Sequence, residues 1–314
     1  MRYRVRNAVF GDVEKITAML RKSSTEPKFA FIEPEDYIKR YMRKPYYNPK
    51  THLVLLHSEE VVGELLASID VGYGVLKNGA VGVRISIVPE HQSEETVGLL
   101  LRTVEPRLRK LGFGEMQTTV SQNKELEQII ESQGFRQDSS GYWMIKEDLE
   151  LPQVKRIEGL QIRRIEPKEI EKFYELVNIS FSTDQNWEPY TFPDFAEKYI
   201  YPAYVDFNGY FFADFKGELV GTVAAWAHQE KNIRGLDGGE IRALGVIPHY
   251  RNLGIGKHLL SEALKYLIAR GMQKFYLGTD SYNLPAVSIY KRFNFRVFRE
   301  HKRYKKMLVE SGAR

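Results

Sequence analysis

This sequence of 314 residues contains no cysteine. Disulfides, thiolate metal sites and cysteine nucleophiles are therefore excluded. It also lacks any apolar run near the roughly 18 residues that a membrane-spanning helix needs. The N-terminus, Met1-Arg2-Tyr3-Arg4-Val5-Arg6, leads into a strand-like alternation and not into an apolar segment. It does not read as a signal peptide, and the expected location is cytoplasmic. The seven histidines form neither His-Glu-x-x-His nor a close ligand pair, so no metal site is expected. A strong net charge is missing too. The surplus of +5 is uneven: 22 basic and 22 acidic residues lie up to Lys155, leaving 24 of the 46 basic and 19 of the 41 acidic residues beyond it. The excess gathers at Lys291, Arg292, Arg296, Arg299, Lys302, Arg303, Lys305 and Lys306. Such a cluster is either a solvated basic strand or a positive field for a polyanionic ligand. No DNA- or RNA-binding motif accompanies it, and no nucleic-acid partner is expected.

What is present is a globular composition in a chain long enough for two domains of ordinary size. One segment stands out. A strand-like run from Ile241 to Ile247 stops at Pro248, which cannot donate to a sheet ladder. Arg251, Asn252, Leu253, Gly254, Ile255, Gly256 and Lys257 follow. Leu259, Leu260, Ala263, Leu264, Leu267 and Ile268 then recur at helical spacing. The two glycines thus stand where a strand hands over to a helix N-terminus. Unpaired backbone N–H groups and the positive end of the helix dipole make such a place an anion site. Glycine lets the backbone approach a phosphate closely. A dinucleotide site is not indicated, because the third glycine and the downstream acidic residue of that fingerprint are absent. A phosphate loop of some other α/β fold remains open at this point.

Internal similarity is the second feature. Val5-Arg6 with Asp12 to Ile16 matches Ile162-Arg163 with Glu169 to Phe173, a shift of 157 residues. Val62-Gly63 matches Val220-Gly221 at 158, Val88-Pro89 matches Ile247-Pro248 at 159, and Asn123 matches Asn283 at 160. Gly134-Phe135 matches Asn294-Phe295, also at 160. The chain therefore reads as two copies of one unit, residues 1–150 and 156–314, joined by a short linker around Pro152. Each copy shows a strand, one or two helices, two strands in meander, a central strand with its helix, then strand, helix and closing strand. This order argues for a mixed α/β sheet flanked by helices.

Arg251-x-x-Gly254-x-Gly256 after a strand ending in Val246-Ile-Pro248 resembles the acetyl-CoA motif of the GNAT superfamily of N-acetyltransferases. Asn283-Leu-Pro-Ala286-Val-Ser-Ile-Tyr290-Lys-Arg-Phe293-Asn294-Phe295 resembles that family's Asn-x-x-Ala-x-x-x-Tyr-x-x-x-Gly-Phe segment. Asn294 departs from the pattern; asparagine tolerates positive φ best after glycine, so the turn is expected to survive. The tandem arrangement resembles mycothiol synthase-like members, which acetylate an amino group of a small metabolite. The resemblance implies two tandem GNAT-like domains and acetyl-CoA as cofactor. It implies that the stretch from Arg251 to Lys257 holds the pyrophosphate. Leu244, Gly245 and Val246 would pair with the pantetheine arm, Asn283 would contact it, and Tyr290 would be the general acid.

Glu240 stands where family members carry a carboxylate that accepts the amine proton; an ion pair with Arg242 is its other reading. Arg242, in turn, would meet either a substrate carboxylate or Glu240. Trp187, Tyr190 and Tyr204 belong to an aromatic-rich stretch between Phe181 and Phe215 that is either core or acceptor wall, and Trp226 is a further candidate for the acceptor side. The polar loop from His228 to Gly239 is a candidate mobile edge. In the first copy Glu90-His91-Gln92-Ser93-Glu94-Glu95 replaces the loop, so both glycines and the arginine are gone. Ile130 replaces Tyr290, and the repeat register sets Val81 against Glu240. The first copy is expected to bind no cofactor, with Glu94 and Glu95 occupying the anion site, and to pack on the second and shape its cleft. The function expected is acetyl transfer to a primary amine of a small molecule by direct attack. A protein or peptide acceptor and a non-catalytic acyl-CoA sensor are the alternatives.

Overall fold

The computed structural model describes residues 3–23, 32–44, 46–68, 79–184, 187, 189–202, 205–228 and 237–308. Tyr204 and most of the loop expected between His228 and Gly239 lie outside the described residues. By contacts, the chain divides into two compact units. One holds the residues up to Gly141 together with those from Arg299 onward; the other holds those between Tyr142 and Phe298.

In the first unit, β1 (Arg4–Asn7) is followed by helix α1 (Val13–Ser23), and β2 (His52–His57) pairs antiparallel with β3 (Glu60–Ser68). β4 (Ala80–Ile87) leads to helix α2 (Glu94–Lys110), β5 (Glu115–Ser121) and helix α3 (Lys124–Ser132). The second unit repeats this order. After β6 (Arg136–Lys146) it runs β7 (Leu160–Arg164), α4 (Ile170–Phe181), α5 (Phe192–Tyr199), β8 (Tyr210–Phe215), β9 (Glu218–Ala227) and β10 (Gly239–Val246). Then come α6 (Ile255–Ala269), β11 (Phe275–Asp280), α7 (Leu284–Arg292) and β12 (Arg296–Met307). The elements fall where the hydrophobic periodicity and the Pro/Gly punctuation set them.

One expectation needs correction. The sequence assigns the closing strand of each copy to its own half. The structure orders the first unit's strands β1-β2-β3-β4-β5-β12 and the second's β6-β11-β10-β9-β8-β7. The last strand therefore completes the first unit, with His301 to Met307 paired antiparallel to Ser121 to Glu115. Tyr304 and Leu308 are fully buried in that unit's core. Each fully buried large side chain contributes about 1.5–3 kcal/mol, enough to hold the strand in place. Met144 of β6 belongs in turn to the second unit's core.

The exchange also divides the basic cluster between the two units. Lys302, Lys305 and Lys306 lie in the first unit and pair with Glu127 at 2.8 Å, Asp138 at 2.9 Å and Glu105 at 2.6 Å. Their charge is compensated by these carboxylates, whereas Arg292 of the same cluster ends α7 in the second unit.

The central strand differs between units. β4 runs in unbroken register with β3, from Gly63 opposite Ile87 to Ser68 opposite Gly82. β10 breaks its register with β9 between Arg242 and Gly245. Ala243 there takes φ +48°, the left-handed region that costs a non-glycine residue energy. This bulge inserts one residue into β10. Judged by its partner Trp226 on β9, Glu240 therefore stands level with Gly82 of the first unit, not Val81. β10 pairs with β11 only from Gly239 to Ile241, and beyond that the two strands no longer hydrogen-bond.

Candidate active site

Past the last β10–β11 pair lies a cleft of about 600 Å³ within the second unit. Its walls come from three places. The bulged end of β10 supplies Leu244, Gly245 and Val246. The loop and first turn of α6 supply Arg251, Asn252, Gly254, Ile255, Gly256 and Lys257, and α7 with its cap supplies Asn283, Ala286 and Tyr290. The seven residues between Asn283 and Tyr290 make two helical turns, so both reach one face. Most of the cofactor residues expected from sequence are thus brought together. Leu253 is the exception: it is half exposed and lies off the cleft wall.

The loop geometry follows from its residues. Asn252 (φ +66°) and Gly254 (φ +91°) both adopt left-handed conformations. Gly254 is the N-cap of α6 and offers no side chain to the first turn. The N–H groups of Ile255 and Gly256, both on the cleft wall, therefore have no side-chain cap, while that of Lys257 bonds the Gly254 carbonyl at 3.0 Å; open N–H groups at a helix start are what an anion needs. Asn294 takes φ +63°, as Gly134 takes +88° in the first unit, so the turn into the closing strand survives the substitution.

Arg251 does something different from what its place in the motif suggests. Its guanidinium donates to the carbonyl of Val246 at 3.1 Å, to the hydroxyl of Thr183 at 2.9 Å and to the carbonyl of Ser180 at 2.6 Å. It pins the end of α4 against β10. Asn283 likewise spends its side-chain oxygen on the N–H of Ala286 at 3.2 Å, capping α7.

Tyr290 is buried, and burial together with the nearby Asp184 carboxylate pushes its phenol above the ordinary value. The phenol therefore stays protonated across the physiological range. Asp184, Ser180 and Phe181 also line the cleft. The sequence reading did not single out Asp184 or Ser180, because they follow no motif and reach the cleft only through the packing of α4. Burial raises the Asp184 carboxyl; Arg251 opposes the shift and Asp280 adds to it.

The remaining candidates do not reach the cleft wall. Glu240 is buried and accepts from Arg242 at 2.9 Å, with His228 at 3.5 Å. The contacts match the ion-pair reading of both residues. Burial works to deprotonate Arg242, but the Glu240 carboxylate outweighs it and keeps the guanidinium charged. Arg242 also lies over the Trp226 ring, 5.5 Å from its centroid. Trp226 is core: 2 % exposed, with its indole N–H donating to the Tyr210 hydroxyl at 2.9 Å. Tyr190 is buried among Phe195 and Tyr199, beside Lys198. Large rings bury the most area, and here the core claims them. Trp187 is the aromatic nearest to the expectation, since it stacks on the cleft residue Phe181 at 4.9 Å. Its buried indole N–H has no partner among the described residues.

In the first unit the corresponding helix start is closed. Ser93 caps α2 by accepting from the N–H of Thr96 at 3.3 Å, and the Ser93 N–H donates to the Thr96 hydroxyl at 3.0 Å. Glu94 and Glu95 are exposed. This corrects the expectation that they would fill the anion site: a capping box fills it instead. Asn123 donates to the Gln92 side chain at 3.2 Å.

Comparison with known proteins agrees with this geometry. A sequence model of the acetyltransferase (GNAT) family matches residues 170–295. A mycothiol acetyltransferase of Streptomyces bingchenggensis is 28 % identical over 151 residues, 48 % of this chain and 47 % of that protein. The chain thus matches about half the length of such relatives. An N-alpha-acetyltransferase of Sulfolobus acidocaldarius is 32 % identical over 126 residues, covering 38 % of this chain and 71 % of that one. Two solved structures share the fold along nearly the whole chain. A GCN5-related N-acetyltransferase from Sphaerobacter thermophilus has a TM-score of 0.75 at 17 % identity, covering 98 % of this chain and 96 % of that one. A tandem GNAT protein from the clavulanic acid biosynthesis pathway has 0.67 at 14 %, covering 99 % and 100 %.

Proposed function

Since this chain belongs to the GNAT acetyltransferase family, we propose that its second unit moves an acetyl group from acetyl-CoA to a primary amine of a small molecule, by direct attack in a ternary complex. The observation that carries this reading is the cleft itself, in which an uncapped helix start, a bulged strand end and a buried tyrosine line one space. The loop from Arg251 to Lys257 would hold the pyrophosphate. The strand end at Leu244 to Val246 would pair with the pantetheine arm as an added strand. Tyr290 would give its proton to the departing thiolate.

Two carboxylates are at hand for the amine proton. Asp184 lines the cleft, whereas Glu240 is engaged by Arg242. The geometry favours Asp184 as acceptor and Glu240 as the partner that positions Arg242. The small-molecule reading draws on the mycothiol acetyltransferase relatives, and the Sulfolobus relative keeps a peptide N-terminus as the second reading. The test is thiol release from acetyl-CoA against a panel of amino acids, polyamines, aminoglycosides and peptides. Turnover with a small amine supports the first reading and turnover confined to peptides the second. CoA binding with no turnover on any amine would leave only a sensor.

A further inference from the structure

We propose that the Ser180 hydroxyl donates a hydrogen bond to the carbonyl oxygen of the bound thioester and stabilises the oxyanion formed when the amine attacks. The inference rests on the acetyl-CoA reading above. Ser180 lies in the last turn of α4 and lines the cleft, yet only 1 % of it is exposed. Among the described residues its buried hydroxyl has no hydrogen-bond partner. A helical serine ordinarily satisfies itself by bonding back to the carbonyl four residues earlier, and this one does not. Buried polar groups are paired in the great majority of cases, so an unpartnered hydroxyl on a residue that lines the cleft points to a ligand atom.

The position is fixed, not incidental. Arg251 clamps the carbonyl of Ser180 itself at 2.6 Å and the Thr183 hydroxyl at 2.9 Å, which locks the helix end. A Cβ added to Gly245 would lie 2.6 Å from the Ser180 Cβ and 3.1 Å from its hydroxyl oxygen. Glycine at 245 is therefore what admits Ser180 against the main chain of the bulged strand. Ser180 sits beside Gly245, and both line the cleft together with Leu244 and Tyr290.

The amine lone pair forms the N–C bond and the carbonyl electron pair moves to oxygen, where the Ser180 O–H meets the developing charge. Collapse re-forms the C=O bond and breaks C–S. The thiolate takes the Tyr290 proton, and the amine proton goes to Asp184. Ser180 keeps its own proton throughout.

The experiment uses the full chain, Ser180→Ala, and three ligands: acetyl-CoA, free CoA and S-ethyl-CoA, a thioether without the carbonyl. Loss of one oxyanion donor lowers kcat by about 10²-fold or more. The expected result is a loss of that order, with the amine KM and the Tm unchanged. Ser180→Ala should bind CoA and S-ethyl-CoA as the parent does, and acetyl-CoA more weakly. A kcat within about twofold of the parent overturns the proposal, as does an equal loss of affinity for acetyl-CoA and S-ethyl-CoA. Failure of the unsubstituted chain to bind CoA at all would sink the function itself, which is a separate outcome.

Discussion

The helix that follows Pro89 and the helix that follows Pro248 begin in the same place in the same fold, and they treat their first N–H groups in opposite ways. α2 closes its own start with the Ser93–Thr96 box. α6 starts from Gly254, which has nothing to close with. The strands before them differ in the same sense, since β4 runs straight where β10 bulges at Ala243. A helix dipole offers an anion site only if the protein declines to use it. A few residues at one junction decide whether those donors serve the fold or a ligand.

A second contrast concerns buried charge. Both units bury an arginine on the central strand at matching positions opposite the preceding strand, Arg84 and Arg242. In the first unit its carboxylate comes from the neighbouring strand: Glu64 accepts from Arg84 at 2.8 Å, contacts His52 at 2.8 Å and takes the Tyr37 hydroxyl. In the second unit Glu240 supplies it from the same strand as Arg242. The first arrangement ties three strands and a helical turn together.

The largest effect tests the loop. Gly256→Glu should abolish CoA binding by calorimetry, while the unsubstituted chain binds with a stoichiometry near one. A Cβ at 256 would meet only ordinary contacts at 3.8 and 3.9 Å, so the fold should hold. A stoichiometry of two would break the contrast between the units.

Tyr290→Phe comes next. General acid catalysis contributes about 10²–10⁴ in rate, and kcat should fall by that much with little change in the KM for acetyl-CoA. In the same assays Asp184→Asn should remove the acid limb of the pH profile. That limb should lie higher than an ordinary aspartate would give, because burial raises the Asp184 carboxyl and a base accepts a proton only when deprotonated. Glu240→Gln should leave the limb in place; if it removes the limb, Glu240 is the base.

Glu64→Gln probes the first unit's network. Breaking a buried pair costs about 3–5 kcal/mol, read as a lower Tm. Burial works to raise the Glu64 carboxyl, but Arg84, His52 and Tyr37 outweigh it and hold it at about 2, against 4.5 ordinarily. Its folded value is depressed, so its contribution is full above about pH 4.5 and lost as pH falls toward 2. Acid unfolding of the Gln variant should show less of that slope.

The smallest effect is expected at the closed junction. Gln92→Ala and Asn123→Ala should each leave kcat within a few-fold of the parent. A loss like that of Tyr290→Phe would reveal a working site in the first unit.

Much of this is legible in the chain itself. The Pro248 stop, the Gly254 and Gly256 turn and the Asn283–Tyr290 spacing are local codes, read within a few residues of where they act. The misreadings were of another kind. Val81 was matched to Glu240 because a bulge hides one residue that only strand pairing reveals. Trp226 could not be placed from sequence, because an aromatic ring fits a pocket or a core equally well. Ser180 and Asp184 carried no signal, since what matters about them is the strand they lie against.

The sequence alone determined the two units, the order of their elements and the junction open to an anion, because hydrophobic period, proline and glycine act over short range. Which sheet receives the closing strand was decided only in three dimensions. Gly134-Phe135 and Asn294-Phe295 begin their closing strands with the same local code, yet β6 ends in the second unit's sheet and β12 in the first's. A strand's edge is satisfied by any neighbour of suitable pattern, and only burial of Tyr304 and Leu308 in the first core selects between them.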